Sequence, residues 1–238
     1  MNCLYIPQAP ETGEFELPAV EMHHALHVLR LRIGDAFAFT NGKGRTGTAE
    51  LIYADKKRST AKMLSVLDHA PVLPVIHLGV SLLKTRDRFD FILEKCTEIG
   101  VTDIYLLRTQ NAERRDMAAE KAEQVLIAAI KQSHRPFLPK LHAVMTAEDL
   151  FVESRNFKGQ KFICHCRDTA LPYVTTSYDP GTSVLIMIGP EGDFSKEEIA
   201  AAEENDFRSV KLSETVLRSE TAAMSAVLFL HAIYQNIK

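Results

Sequence analysis

Apolar positions along this chain follow two different patterns, and the change falls at a short proline-bracketed link, Pro71-Val72-Leu73-Pro74. Before the link the pattern is strand-like over residues 36–40, 47–53 and 59–67. Asn41-Gly42-Lys43-Gly44 separates the first two, and Asn and Gly tolerate positive φ, so a hairpin is predicted. Upstream, Met22, Leu26 and Leu29 recur at helical spacing and predict a short helix within residues 21–30. A small β-barrel-like domain over residues 1–71 follows. Beyond the link, apolar strands at 75–82, 103–107, 161–166, 183–188 and 210–212 alternate with helices at 86–99, 117–133, 195–205 and 219–236. In the first of these helices Phe89, Ile92, Leu93, Cys96 and Ile99 share one face, and Gly100 supplies the stop. In the second, Ala122, Val125, Leu126, Ala129 and Ile130 point inward. This alternation predicts an α/β domain over residues 74–238 with a mainly parallel sheet. Ligand sites on such sheets lie at the C-terminal ends of the strands.

Composition narrows the class. Of the 238 residues 46% are hydrophobic and 25% charged, which fits a globular chain and excludes a disordered or low-complexity one. The 28 Lys and Arg against 31 Asp and Glu leave a net charge of −3, so the molecule is not a polycation that coats nucleic acid. The start, Met1-Asn2-Cys3-Leu4-Tyr5-Ile6-Pro7, lacks the basic and apolar regions of a signal peptide. The longest apolar-leaning run, residues 222–233, contains Ser225 and His231 and falls short of the ~20 residues a membrane span needs. That run has no polar helical face, which predicts burial in a core or a subunit interface. Four cysteines without framework spacing point to a reducing cytoplasm. Cys164-His165-Cys166 alternates within a predicted strand, with both sulfurs on one side. It lacks zinc spacing, so no metal is expected.

Two segments carry candidate chemistry. In Ile186-Met187-Ile188-Gly189-Pro190-Glu191-Gly192-Asp193-Phe194-Ser195-Lys196-Glu197-Glu198 a buried strand enters a glycine loop and the loop enters a helix. Ser195 and Glu198 form a capping box. The loop could cradle a ligand with its backbone amides, or be an ordinary strand-to-helix turn. It is neither a Walker loop nor a dinucleotide fingerprint. In Leu212-Ser213-Glu214-Thr215-Val216-Leu217-Arg218-Ser219-Glu220-Thr221-Ala222-Ala223, Ser219 is the expected cap of the last helix. Arg218 then sits beside a positive helix end. It awaits an anion, or a centre that becomes negative during reaction, unless Glu214 or Glu220 pairs with it.

Together these segments resemble the RsmE-type ribosomal RNA methyltransferases of the SPOUT superfamily. Three further stretches fit in collinear order: residues 23–35 ("HHALHVLRLRIGD"), 94–101 ("EKCTEIGV") and 130–139 ("IKQSHRPFLP"). The resemblance spans nearly the whole chain. It implies an N-terminal PUA-like β-barrel and a C-terminal SPOUT α/β domain with a trefoil knot. It implies S-adenosylmethionine as cofactor, methylation at N3 of a uridine in 16S ribosomal RNA of the small subunit, and a homodimer. Arg218 and Glu220 would be catalytic: Arg218 would hold charge on the uracil, and Glu220 would act as base or only orient its neighbours. Cofactor contacts would come from Ile188, Gly189, Pro190, Glu191, Gly192, Leu212, Val216 and Leu217. One departure stands out: Asp193 occupies a position where the family usually has a second glycine. If that position needs positive φ, Asp tolerates it better than most residues.

RNA contacts would come from His24, Arg30 and Arg32, and from Arg114, Arg115 and Arg135 in or near matching segments. Lys43, Arg45, Lys56, Lys57 and Arg58 are weaker candidates, as solvated charges would also explain them. Residues 84–140 hold 11 basic and 9 acidic side chains, whereas residues 193–220 hold 4 and 8, so a positive face on a net-negative chain is feasible. Two other readings remain: a catalytically silent RNA-binding or ribosome-assembly factor, and a SPOUT enzyme acting at another RNA position.

Overall fold

The hairpin foreseen around Asn41 forms with its first strand at the expected bounds and its second longer than the apolar pattern alone marks. In the computed structural model, which describes residues 2–55 and 57–236, it joins β3 (Ala36–Thr40) to β4 (Arg45–Ala54). Lys56, one of the basic residues named above, lies outside the described residues. The Asn41 side chain accepts hydrogen bonds from the amides of Lys43 and Arg45, while Gly42 and Gly44 take φ of +68° and +102°. β5 (Ser59–Asp68) continues the antiparallel ladder, β2 (Glu14–Glu16) adds its far edge, and β1 (Cys3–Tyr5) pairs in parallel with β3. Phe37, Phe39, Leu51, Ala61 and Leu4 fill the core of this sheet. The short helix begins as α1 (Ala19–His23) and continues as a wider π-helical turn over His24–Val28.

The chain divides into two compact units, Met1–Pro71 with Ile127–Leu138, and Val72–Leu126 with Pro139–Lys238. The first break coincides with the proline link. The return of residues 127–138 to the first unit differs from the sequence reading, which placed them in the second domain. The bonds that hold them run through backbone groups: Thr40 Oγ1 donates to Arg135 O (2.9 Å), Gly44 N to Pro136 O (2.8 Å) and Leu138 N to Gly42 O (2.9 Å). Such bonds leave no periodic trace in a sequence.

The second unit is a six-stranded parallel sheet, ordered β11-β9-β10-β6-β7-β8. Its strands are β6 (Ile76–Ser81), β7 (Asp103–Arg108), β8 (Lys140–Thr146), β9 (Gly159–Cys164), β10 (Ser183–Ile188) and β11 (Arg208–Val210). Its helices are α2 (Arg86–Ile99), the first half of α3 (Ala119–Ser133, of which residues 127–133 belong to the first unit), α4 (Ala147–Glu153), α5 (Val174–Ser177), α6 (Lys196–Glu204) and α7 (Ser219–Gln235). Central strands of a parallel sheet are covered on both faces, which explains the unbroken apolar run of β10. Leu185 and Met187 share a core with Leu150 and Phe151 of α4, Ala202 of α6, and Phe194. On the opposite face α7 packs on β6, β10 and α2. Gly100 ends α2 at φ +136°, as expected of a C-terminal glycine. Among the described residues no helix is long and apolar enough to cross a membrane.

Candidate active site

Strand β10 lies between β9 and β6, so the strand order reverses there and a crevice opens beyond the C-terminal ends. A cavity of about 670 Å³ occupies that crevice. Three stretches line it: residues 164–166 with Asp168 and Thr169 leaving β9, residues 188–191 with Asp193 leaving β10, and residues 211–219 entering α7. Arg88 and Ala222 complete the wall. The volume suits a nucleoside-sized ligand.

The glycine loop is held from several directions. Ser195 caps α6: its Oγ accepts from Glu198 N (3.1 Å), and Glu198 Oε2 accepts from Ser195 N (2.9 Å). Glu198 Oε1 also accepts from Gln110 N (2.8 Å). Asn111 Nδ2 donates to the carbonyls of Gly192 (3.2 Å) and Asp193 (2.9 Å). Phe194 is fully buried beneath the loop, and Arg167 Nε donates to its carbonyl (2.7 Å). Gly189 is needed for this folding back, since a Cβ there would stand 3.1 Å from Phe194 N and 3.2 Å from its ring.

The residues expected around a cofactor divide in placement. Ile188, Gly189, Pro190, Glu191, Leu212, Val216 and Leu217 line the cavity. Gly192 is outside its lining and packs against Asn111. Arg218 lines the cavity as the N-cap residue of α7, with its side chain exposed. Ser219, the cap expected from sequence, is instead the first helical residue and is buried. Among the described residues the Arg218 guanidinium has no hydrogen bond and no carboxylate within ion-pair distance. Both acids that could have neutralised it are engaged elsewhere. Glu214 accepts from Tyr173 Oη and from Lys211 Nζ (3.0 Å).

Glu220 lies outside the cavity lining and accepts from Arg88 Nε (3.0 Å) and Nη2 (2.5 Å). Burial, the largest single influence, would raise its pKa, but the Arg88 hydrogen bond, its own backbone amide and the charges of Arg88 and Arg218 together hold the carboxyl below its ordinary value. A carboxylate so engaged is a weak proton acceptor. Arg88 Nη1 also donates to Glu191 Oε1 (3.0 Å), so one guanidinium joins the glycine loop to the first turn of α7. Sequence reasoning missed Arg88, because its partners are 103 and 132 residues away.

The Cys164-His165-Cys166 stretch departs from the expected alternation. β9 ends at Cys164, and all three residues line the cavity. Burial pushes the Cys166 thiol up and the His165 imidazole down. Among the described residues no group of three or more His, Cys, Asp or Glu side chains could hold a metal ion.

The basic candidates fall into both units. In the first, Arg30 and Arg32 are exposed, Arg30 at φ +56°. His24 Nδ1 faces Lys131 Nζ at 3.0 Å, and Lys131 also bonds both oxygens of the buried Glu21. Arg135 is partly buried, with its Nε unpartnered and its pKa lowered by burial. Arg45 is neutralised by Asp68 and Glu11. In the second unit Arg114 Nε donates to Asp116 O (2.9 Å), and Arg115 is exposed with Nη1 3.4 Å from Thr109 O.

Residues 71–231 match the family model described as an RNA methyltransferase domain, and residues 20–64 match that of an RNA methyltransferase PUA domain. The chain is similar to Ribosomal RNA small subunit methyltransferase E of Mesomycoplasma hyopneumoniae, 33% identical over 62% of this chain and 65% of that protein. Among solved structures it resembles the enzyme of the same name from Neisseria gonorrhoeae bound to S-adenosyl methionine, at 28% identity and a TM-score of 0.88 over 98% of both chains. It also resembles a methyltransferase from Legionella pneumophila in complex with the same cofactor, at 29% identity and a TM-score of 0.87 over 97% and 96% of the two chains.

Proposed function

This chain belongs to the RNA methyltransferase family, and on that premise we propose that it methylates N3 of a uridine in 16S ribosomal RNA, within the small subunit, using S-adenosylmethionine. The observation that carries this reading is an exposed guanidinium with no carboxylate partner at the wall of a strand-end cavity: Arg218 at the start of α7. The cavity suits the cofactor in chemistry as well as size. Ile188, Leu212, Val216 and Leu217 offer apolar surface for a purine, and Gly189 keeps the loop backbone close to the cavity. Bound there, S-adenosylmethionine would supply a methyl group activated on a sulfonium.

The remaining work falls to the chain. N3 of uracil is a poor nucleophile until its proton leaves, and negative charge then spreads onto the ring oxygens. Arg218 is always charged and presents its donors in a fixed fork, so it can hold that charge. The positive end of α7 adds to the same field. Glu220 serves as a positioning residue through Arg88, and the proton leaves to water. The test is Arg218→Ala assayed on small-subunit particles. Turnover should fall by ~10²–10³ while cofactor affinity stays within a few fold. Turnover near wild type would refute the role.

His24, Arg30, Arg32 and Arg135 in one unit, and Arg114 and Arg115 in the other, are the proposed RNA contacts, in keeping with cytoplasmic action on ribosomal RNA. A homodimer through α2 and α7 is also proposed. It is supported by Phe91 of α2 and Leu228 of α7, large apolar side chains that are 40% and 49% exposed on two helices that pack against each other. Light scattering that finds only monomer at micromolar concentration would refute it.

A further inference from the structure

Asp193 stands where the resembling family usually has glycine, and its φ is +61°. A glycine would adopt that conformation without strain. The carboxylate does something glycine cannot. Its Oδ1 accepts from Phe194 N (2.8 Å) and its Oδ2 from Cys166 N (2.9 Å), which ties the glycine loop to the segment leaving β9. The carboxylate is thereby held half-buried in the cavity wall.

Both bonds come from neutral amides. Among the described residues no cation lies within ion-pair distance of Asp193: Arg218, in the same cavity wall, is uncommitted but not within that distance, and the other cations are committed elsewhere. Arg167 is spent on Phe194 O, Lys211 on Thr169 O and Glu214, and Arg88 on Glu191 and Glu220. Burial, opposed by the charges of Asp193, Glu203 and Asp168, holds the His165 pKa below its ordinary value. Asp168, in the same wall, adds a second carboxylate, whose Oδ1 accepts from Ala170 N (2.8 Å). A half-buried carboxylate without a counter-ion favours a cationic occupant of its cavity.

We propose that Asp193 is a charge-selective positioning residue, whose clamped carboxylate favours a sulfonium cofactor over the neutral thioether that remains once the methyl group has gone. This inference rests on the reading of the cavity as an S-adenosylmethionine site. It gives the departure from glycine a use: the carboxylate favours entry of the charged cofactor, and its pull ends when the charge is lost, which eases product release.

The experiment is isothermal titration of wild type, Asp193→Asn and Asp193→Gly with S-adenosylmethionine and with S-adenosylhomocysteine. Loss of the clamp alone would weaken both ligands alike and leave their affinity ratio unchanged. The inference predicts that the preference for the sulfonium compound falls by roughly fivefold in both variants, the scale of one charge–charge contact in a wet site. The glycine variant relieves the positive φ, so the fold is retained. A ratio within twofold of wild type in either variant overturns the inference and leaves the cofactor reading standing. A wild type that binds neither compound overturns both.

Discussion

Replacing Arg88 by alanine tests how the cavity is held together. Three hydrogen bonds are lost: two to Glu220, at 3.0 and 2.5 Å, and one to Glu191, at 3.0 Å. The Glu220 side chain is only 14% exposed, whereas Arg88 and Glu191 are 32% and 36% exposed. The pair therefore lies between two regimes. Exposed ion pairs contribute about 0–1 kcal/mol, and breaking a buried one costs about 3–5 kcal/mol. The positive end of α7 continues to favour Glu220 after the loss, by about 0.3–1 kcal/mol. A destabilisation of about 2 kcal/mol follows. For a chain of this size that lowers the melting temperature by roughly 4–8 °C in calorimetry. The pH dependence identifies the cause. Glu220 is held below its ordinary value of 4.5, so the stability it contributes is complete above that pH and is lost as pH falls through its folded-state value. The wild-type and Arg88→Ala curves should converge in acid. Melting within 1 °C of wild type at pH 7, or a gap that persists in acid, would refute the reasoning.

Three further outcomes are expected. Gly189→Val should weaken cofactor binding by at least ~10-fold in titration calorimetry, because a branched side chain would start from a Cβ already 3.1 Å from Phe194 N. Undiminished binding would show that the loop can yield. Burial, opposed by the Asp103 charge, holds His77 below its ordinary 6.5, so stability is full above that pH and declines as pH falls beneath it. His77→Gln should flatten the decline of melting temperature between pH 6.5 and 5, and an unchanged slope would count against it. In filter binding to ribosomal RNA, the joint Arg30→Ala and Arg32→Ala change should reduce the salt slope by about 1–2, as phosphate contacts do, and an unaltered slope would remove these residues from the RNA face.

Much of the second unit was legible because its signals are local. The face of α2, its glycine stop and the Ser195–Glu198 box all lie within a few residues of the features they determine. The strand pattern located β10 at its observed bounds and β9 within two residues. β8 and α4 escaped notice, although Thr146 and Asp149 form a capping box that a scan for this spacing would have found. The burial pattern of β8, at the sheet edge, is mixed, so its sequence has no clean alternation. The site was legible in part. Arg218 stood out through its place before α7, and the two loops through their glycines and apolar residues. The commitment of Glu220 to Arg88 depends on a contact spanning 132 residues, which no local pattern encodes. The same is true of the bond from Cys166 N to Asp193, which gives a use to the aspartate noticed in sequence as a departure.

The central claim is methyl transfer to one uridine of small-subunit ribosomal RNA. Its most direct test is to incubate the purified chain with unmethylated small subunits and S-adenosylmethionine carrying a labelled methyl group, then map the RNA by mass spectrometry. The account predicts a single N3-methyluridine in 16S RNA, present with the wild type and nearly absent with Arg218→Ala. Label at another position, or no label from a protein that binds the cofactor, would contradict it.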